Sequence, residues 1–288
     1  MLGFERSLLF PTGTQSNLAA LMSHCQRGEE VILGSEAHSY RYEAGGLSVL
    51  GSIQPQVVPN RPDGTLELAE VEAAIKPDDA HFPRTRLLAL ENTITGRALP
   101  RSYFDEVFKV AKNHNLSTHL DGARLFNACT ALKIKAKDLC RGFDSVSSCL
   151  SKGLGAPAGT LLLGSKDFIS RAHRARKMLG GGMRQAGVIA AAGLYALEHN
   201  VERLAEDHAN AERLAKGLRE AGFDVQGPNT NMVMVRISPD SLASLKEHLE
   251  KNHVLVLPRP QLRLVTHLDV DAKGIEQAVA AFRAFAAN

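Results

Sequence analysis

Short apolar runs alternate with longer amphipathic stretches along most of the chain, and several runs stop abruptly at a polar or charged residue. Residues 8–11, 30–34, 56–59, 87–90, 116–120, 145–150 and 159–164 read as buried strands. Between them, apolar residues at helical spacing predict helices over 18–22, 66–75, 103–114, 166–178 and 188–197. Strands alternating with helices predict an α/β fold: a mostly parallel central sheet with helices on both faces.

From about residue 201 the pattern changes. A long helix rich in Glu, Arg and Lys ends near Gly222; strands over 232–235, 254–256 and 262–266 then alternate with helices over 241–251 and 272–286. This predicts a large domain over 1–205 and a smaller C-terminal α+β domain over 206–288.

Composition narrows the classes of function. The 288 residues carry 34 basic and 31 acidic side chains, interspersed, for a net charge of +3. No block tracks a nucleic-acid backbone, so no nucleic-acid partner is expected. No apolar stretch reaches membrane-spanning length, and no membrane partner is expected either. Cys25, Cys129, Cys140 and Cys149 form no CxxC pair, which points to a reducing cytoplasm and to no metal site.

The chemistry gathers where the runs end. Asp121 follows 116–120, and Lys152 follows 145–150, so each charge is expected at the carboxyl end of a strand, where open α/β sheets bind ligands. A carboxylate and a lysine there, with Gly153 and Gly155 beyond, suit pyridoxal 5'-phosphate, which needs a Schiff-base lysine and an acid for its ring nitrogen. Taken singly, Lys152 is equally a loop lysine and Asp121 a helix cap.

The loop 12–17 opens a helix with Gly13 and Thr14 at its amino terminus, a seat for phosphate or simply a good N-cap. His38 follows the second strand and is a candidate to lie over a flat cofactor ring. Gly180, Gly181 and Gly182 precede Arg184, as a plain turn or as a loop presenting that arginine to an anion. Arg263 interrupts an apolar strand, either on an edge facing water or holding a substrate carboxylate between domains.

Taken in order, Pro11 to Asn17, Glu36-Ala37-His38, His119 to Arg124, Leu150 to Gly155, Gly180 to Gln185 and Arg263 to His267 closely resemble the low-specificity L-threonine aldolases over essentially the whole chain. The resemblance implies a fold-type I, aspartate-aminotransferase-like pyridoxal-phosphate fold. It also implies retro-aldol cleavage of L-threonine, L-allo-threonine and other β-hydroxy-α-amino acids to glycine and an aldehyde. It gives Lys152 the Schiff base, Asp121 the pyridine nitrogen, His38 the face of the ring, and Gly13 and Thr14 the phosphate.

By the same resemblance Arg184 reaches a neighbouring subunit's phosphate, which makes the enzyme a homodimer or homotetramer with shared sites. Arg124 and Arg263 clamp the substrate carboxylate, and His81 lies near the β-hydroxyl. His38, His81 or a bound water is then the base. The family resembled normally begins about 45 residues further upstream, with an Arg-Ser-Asp-Thr segment whose serine reaches the substrate carboxylate and a later tyrosine near the site; neither occurs in this sequence. Ile94 stands where many relatives carry histidine. The alternatives are a β-eliminating lyase, a serine hydroxymethyltransferase-like enzyme, or an inactive paralogue acting as a binding partner.

Overall fold

The apolar runs that precede residue 201 become strands of one sheet. The computed structural model describes residues 1–287, in two units, Met1–Val201 and Glu202–Asn288. In chain order the first unit contains β1 (Arg6–Phe10), α1 (Gly13–His24), β2 (Glu30–Gly34), α2 (His38–Arg41), α3 (Gly46–Val49), β3 (Gln54–Val58), α4 (Leu68–Ala74) and β4 (Thr85–Glu91). It continues with α5 (Arg101–Asn113), β5 (Ser117–Asp121), α6 (Leu125–Leu132), α7 (Ala136–Cys140), β6 (Ser145–Cys149), β7 (Thr160–Gly164), α8 (Lys166–Met178) and α9 (Gly187–His199).

The sheet order is β1-β7-β6-β5-β4-β2-β3. Strands β2 to β6 run parallel, while β7 is antiparallel to both of its neighbours. Strands β2 and β6 are buried along their whole length, so both faces of the sheet are covered. This explains why, Glu30 apart, their sequences show apolar or small residues rather than alternation.

Helix α1 fixes the site. Its residues from Ser16 to Leu21 are all buried, so no polar face is available to water. Leu21 packs with Val31, Leu33, Leu87 and Ala89, while Ala19 and Ala20 pack with Phe10, Leu162 and Phe168. Thr12 caps the helix, its hydroxyl accepting from the Gln15 N–H at 3.2 Å.

The second unit contains α10 (Leu204–Glu220), β8 (Asp224–Asn229), β9 (Met232–Arg236), α11 (Leu242–Lys251), β10 (Gln261–Val265) and α12 (Ala272–Ala286). Its sheet, β10-β9-β8, is antiparallel, over a core that includes Leu218, Val233, Val235, Leu262 and Phe282.

Two features differ from the sequence pattern. The apolar run 254–256 forms no strand; β9 takes its two partners from β8 and β10 instead. Val254 and Val256 still turn toward the core while Leu255 is exposed, which produces strand-like alternation without a ladder. Conversely β8 is a strand that the sequence pattern did not predict; it contains Gly227 and Pro228, and its register slips between Gln226 and Asn229.

Candidate active site

Parallel pairing brings the ends of β2, β4, β5 and β6 to one edge of the sheet, at Gly34, Glu91, Asp121 and Cys149. Phe10, the end of β1, pairs with Thr160, which also pairs with Cys149, so α1 starts at that edge too. The segments carrying Gly13, Thr14, His38, Asp121, Arg124 and Lys152 therefore leave one edge.

One hydrogen-bonded network ties several of these residues together. His38 Nδ1 lies 2.8 Å from Glu43 Oε1, and the Asn17 side-chain amide donates to the same oxygen at 2.9 Å. The same amide donates to Asp121 Oδ2 at 2.6 Å, while Asp121 Oδ1 accepts from the Ala123 N–H at 3.0 Å. Donor atoms of His38, Glu43 and Asp121 lie within 4.8 Å of one another, with the Asn17 amide bridging the two carboxylates.

Electrostatics place Lys152 and Arg124 in the same group. Burial, followed by the negative charge of Asp121, raises Glu91 to about 8, and the charges of Lys152 and Arg124 oppose that rise. Glu91 accepts from the His38 backbone N–H at 2.8 Å. Glu43 is likewise raised, chiefly by burial. The Cys149 thiol is pushed up by burial against the opposing charge of Lys152.

These residues fit pyridoxal phosphate. Lys152, half-buried, supplies an amine, Asp121 an enclosed carboxylate, and α1 an amino terminus with open backbone N–H groups at this edge. A methyl on Gly13 would approach Cys149 Sγ to 3.1 Å, so the helix start packs closely against the end of β6.

Three further residues named from the sequence are exposed. His81 precedes β4 and so sits toward the opposite edge of the sheet; its side chain is 86% exposed and bonds Asp79 at 2.6 Å. Arg184 is exposed on the loop between α8 and α9. Arg263 is exposed on β10, an edge strand of the second unit.

Asn17, Glu43 and Glu91 carry much of the site's electrostatics, and none of the three is assigned a role by the sequence analysis. Glu91 had a usable signal, since it ends a buried strand just as Asp121 does. Glu43 had none, because nothing near it in sequence marks it as buried.

A strand-end lysine and a strand-end acid on a mostly parallel sheet define a fold-type I pyridoxal-phosphate enzyme. The family described as Beta-eliminating lyase matches residues 1–239. A low specificity L-threonine aldolase of Escherichia coli K12 is 53% identical over 286 residues, covering 99% of this chain and 86% of that one. The chain belongs to the low-specificity L-threonine aldolase family.

Solved structures agree on the fold. A Leishmania major threonine aldolase superposes with a TM-score of 0.85 at 21% identity, covering 98% of this chain and 84% of that one. A Thermotoga maritima aspartate aminotransferase does so with a TM-score of 0.73 at 17% identity, covering 98% and 76%.

Proposed function

We propose that the chain is a pyridoxal-phosphate-dependent aldehyde-lyase that cleaves L-threonine, L-allo-threonine and related β-hydroxy-α-amino acids between Cα and Cβ, releasing glycine and an aldehyde. The observation that carries this is the grouping of Lys152 with Asp121 at one sheet edge in a chain 53% identical to an aldolase. Bound pyridoxal phosphate supplies a sink for the electron pair left at Cα.

The chain's own residues do the rest. Lys152 would hold the cofactor through its aldehyde. Asp121 holds the ring nitrogen, and Gly13 and Thr14 offer backbone N–H groups to the phosphate. Arg124 takes the substrate carboxylate, and Arg263 keeps the same role from the family resemblance. Fixing the carboxylate selects which bond at Cα is aligned to break.

His38 is the proton acceptor for the β-hydroxyl, directly or through one water. Glu43 accepts Nδ1–H and fixes the tautomer that leaves Nε2 free to accept. His81 lies away from this group within one chain, so any part it takes is in a neighbouring subunit's site.

A homo-oligomer is supported by α9. This helix is largely apolar, yet Val188 is 79% and Tyr195 62% exposed, a face that a second copy would cover. Arg184 lies just before it. Four free, buried cysteines support a cytoplasmic enzyme; among the described residues no helix is long and apolar enough to cross a membrane.

Because the matching family is named for β-elimination, the activity test uses both chemistries. Threonine should give acetaldehyde and glycine without a keto acid. A keto acid from threonine, or pyruvate from serine, as the main product would make the chain an eliminating lyase.

A further inference from the structure

A polar seam runs beneath α1 through an otherwise apolar interface. Near the cofactor edge, the Ser16 hydroxyl meets that of Ser147 at 2.9 Å, and Asn17 reaches Asp121. Further along, His24 Nε2 lies 2.7 Å from Ser145 Oγ, and the same hydroxyl lies 2.8 Å from His119 Nδ1. His119 precedes Asp121 by two residues on β5, so their side chains share a face of the sheet.

Both imidazoles are held neutral. Burial, helped by His119 and Arg171, lowers His24 to about 3; burial lowers His119 to about 4 against the opposing charge of Asp121. His119 Nε2 and Asn17 Oδ1 have no protein partner, although the two residues are only 2% and 3% exposed. Both residues line a cavity of about 10 Å³ together with Glu91 and Asp121. That volume suits a single water.

We propose that one water is built into this cavity, joining His119 Nε2 to Asn17 Oδ1 and Asp121, and that His119 is a positioning residue for Asp121. The inference rests on the reading of Asp121 as the partner of the cofactor nitrogen. One arrangement satisfies every group. His24 Nε2–H donates to Ser145, the Ser145 hydroxyl donates to His119 Nδ1, and His119 Nε2–H donates to the water. The water then donates to Asn17 Oδ1 and Asp121, whose carboxylate has lone pairs beyond those used by Asn17 and Ala123.

The neutrality of His119 serves this role. A charged imidazole would spend the negative charge of Asp121 within the protein, whereas a neutral one orients the carboxylate and leaves its charge for the ring nitrogen. The other polar residues lining the cavity are Glu91 from β4, Asn17 from α1 and Ser39 from α2, with Glu43 and His38 joined to it through Asn17.

The test compares the cofactor-loaded wild type with His119→Leu, His119→Gln, Ser145→Ala and Asp121→Asn. Crystals that order buried water should show one within hydrogen-bond reach of His119 Nε2 and Asp121. Pyridoxal phosphate labelled with nitrogen-15 in the ring, followed by NMR against pH, reads the proton on that nitrogen directly. His119→Leu should weaken the nitrogen's hold on its proton about tenfold or more, a shift of at least about one pH unit. His119→Gln, which still bonds the water, should restore most of that, and Ser145→Ala should fall between.

Absence of the water from the wild type, a wild-type titration in His119→Leu, or equal losses in the Leu and Gln variants would each overturn the proposal. If His119→Leu does not fold, the wild-type water and Ser145→Ala decide. Asp121→Asn separates the two readings: a nitrogen that titrates there as in the wild type removes the role given to Asp121 itself.

Discussion

The side-chain amide of Asn17 donates to Asp121 at 2.6 Å, across 104 residues of chain. Through Glu43 the same amide also reaches His38, so the acid assigned to the cofactor nitrogen and the imidazole assigned to its face share one anchor. Asn17→Ala should therefore weaken cofactor binding and slow turnover together. A hydrogen bond to a charged group contributes about 1.5–3 kcal/mol, so the loss should be roughly tenfold to a hundredfold. Asn17→Asp, which sets another carboxylate against Glu43 and Asp121, should bind cofactor more weakly still. Cofactor titration by absorbance checks both, and unchanged affinity in either variant would remove the anchoring role.

His38 and His81 separate cleanly by substitution. His38→Phe keeps an aromatic ring but has no proton acceptor, and should lower kcat about a hundredfold or more with cofactor still bound. His81→Ala should leave the rate within a few-fold of normal if each site uses only its own chain. A hundredfold loss in His81→Ala would instead mean that His81 serves a neighbouring subunit, and mixed oligomers of His38→Phe and His81→Ala chains should then regain activity.

Buried ionisable groups give the apoprotein a pH signature. Folded His24 and His119 bind protons only below about 3 and 4, against about 6.5 when unfolded. Between those limits the unfolded chain binds more protons, so their contribution to stability rises with pH up to about 6.5 and is level above it. Glu91 and Glu43, raised by burial, act in the opposite sense and favour the fold as pH falls, through about 8 for Glu91. The carboxylate contributions are common to wild type and His119→Gln. On going from pH 7 to pH 5, the wild type should lose roughly 2 kcal/mol relative to the variant. Parallel urea unfolding curves at the two pH values measure this, and a constant difference would contradict it.

The exposed face of α9 predicts association. Val188→Glu combined with Tyr195→Glu should dissociate the wild-type oligomer in sedimentation velocity while leaving each chain folded by circular dichroism. The dissociated chains should lose activity if Arg184 serves a neighbour's phosphate. A wild type that sediments as a fully active monomer would overturn the shared-site reading.

The cofactor edge was legible because two short buried strands, β5 and β6, end at or just before a charged residue, Asp121 and Lys152, and parallel pairing turns equal strand ends into one edge. The network behind that edge was not legible. Asn17 meets partners 26 and 104 residues away, and neither separation leaves a periodic trace in the sequence. Local chemistry also misled. β8, with a register break between Gln226 and Asn229, showed no strand pattern, while the alternation at 254–256 served core packing without a ladder. His81 took its role from the family resemblance alone, and that role depends on a surface that a single chain does not define.

The most direct measurement is to load the purified chain with pyridoxal phosphate, reduce it with borohydride, map the labelled peptide, and assay unreduced enzyme with threonine for acetaldehyde and glycine. The account predicts label on Lys152, no trapped label in Lys152→Ala, and both products in equal amounts from the wild type alone. Label on another lysine, or a trapped cofactor at Lys152 with no acetaldehyde from threonine, would contradict it.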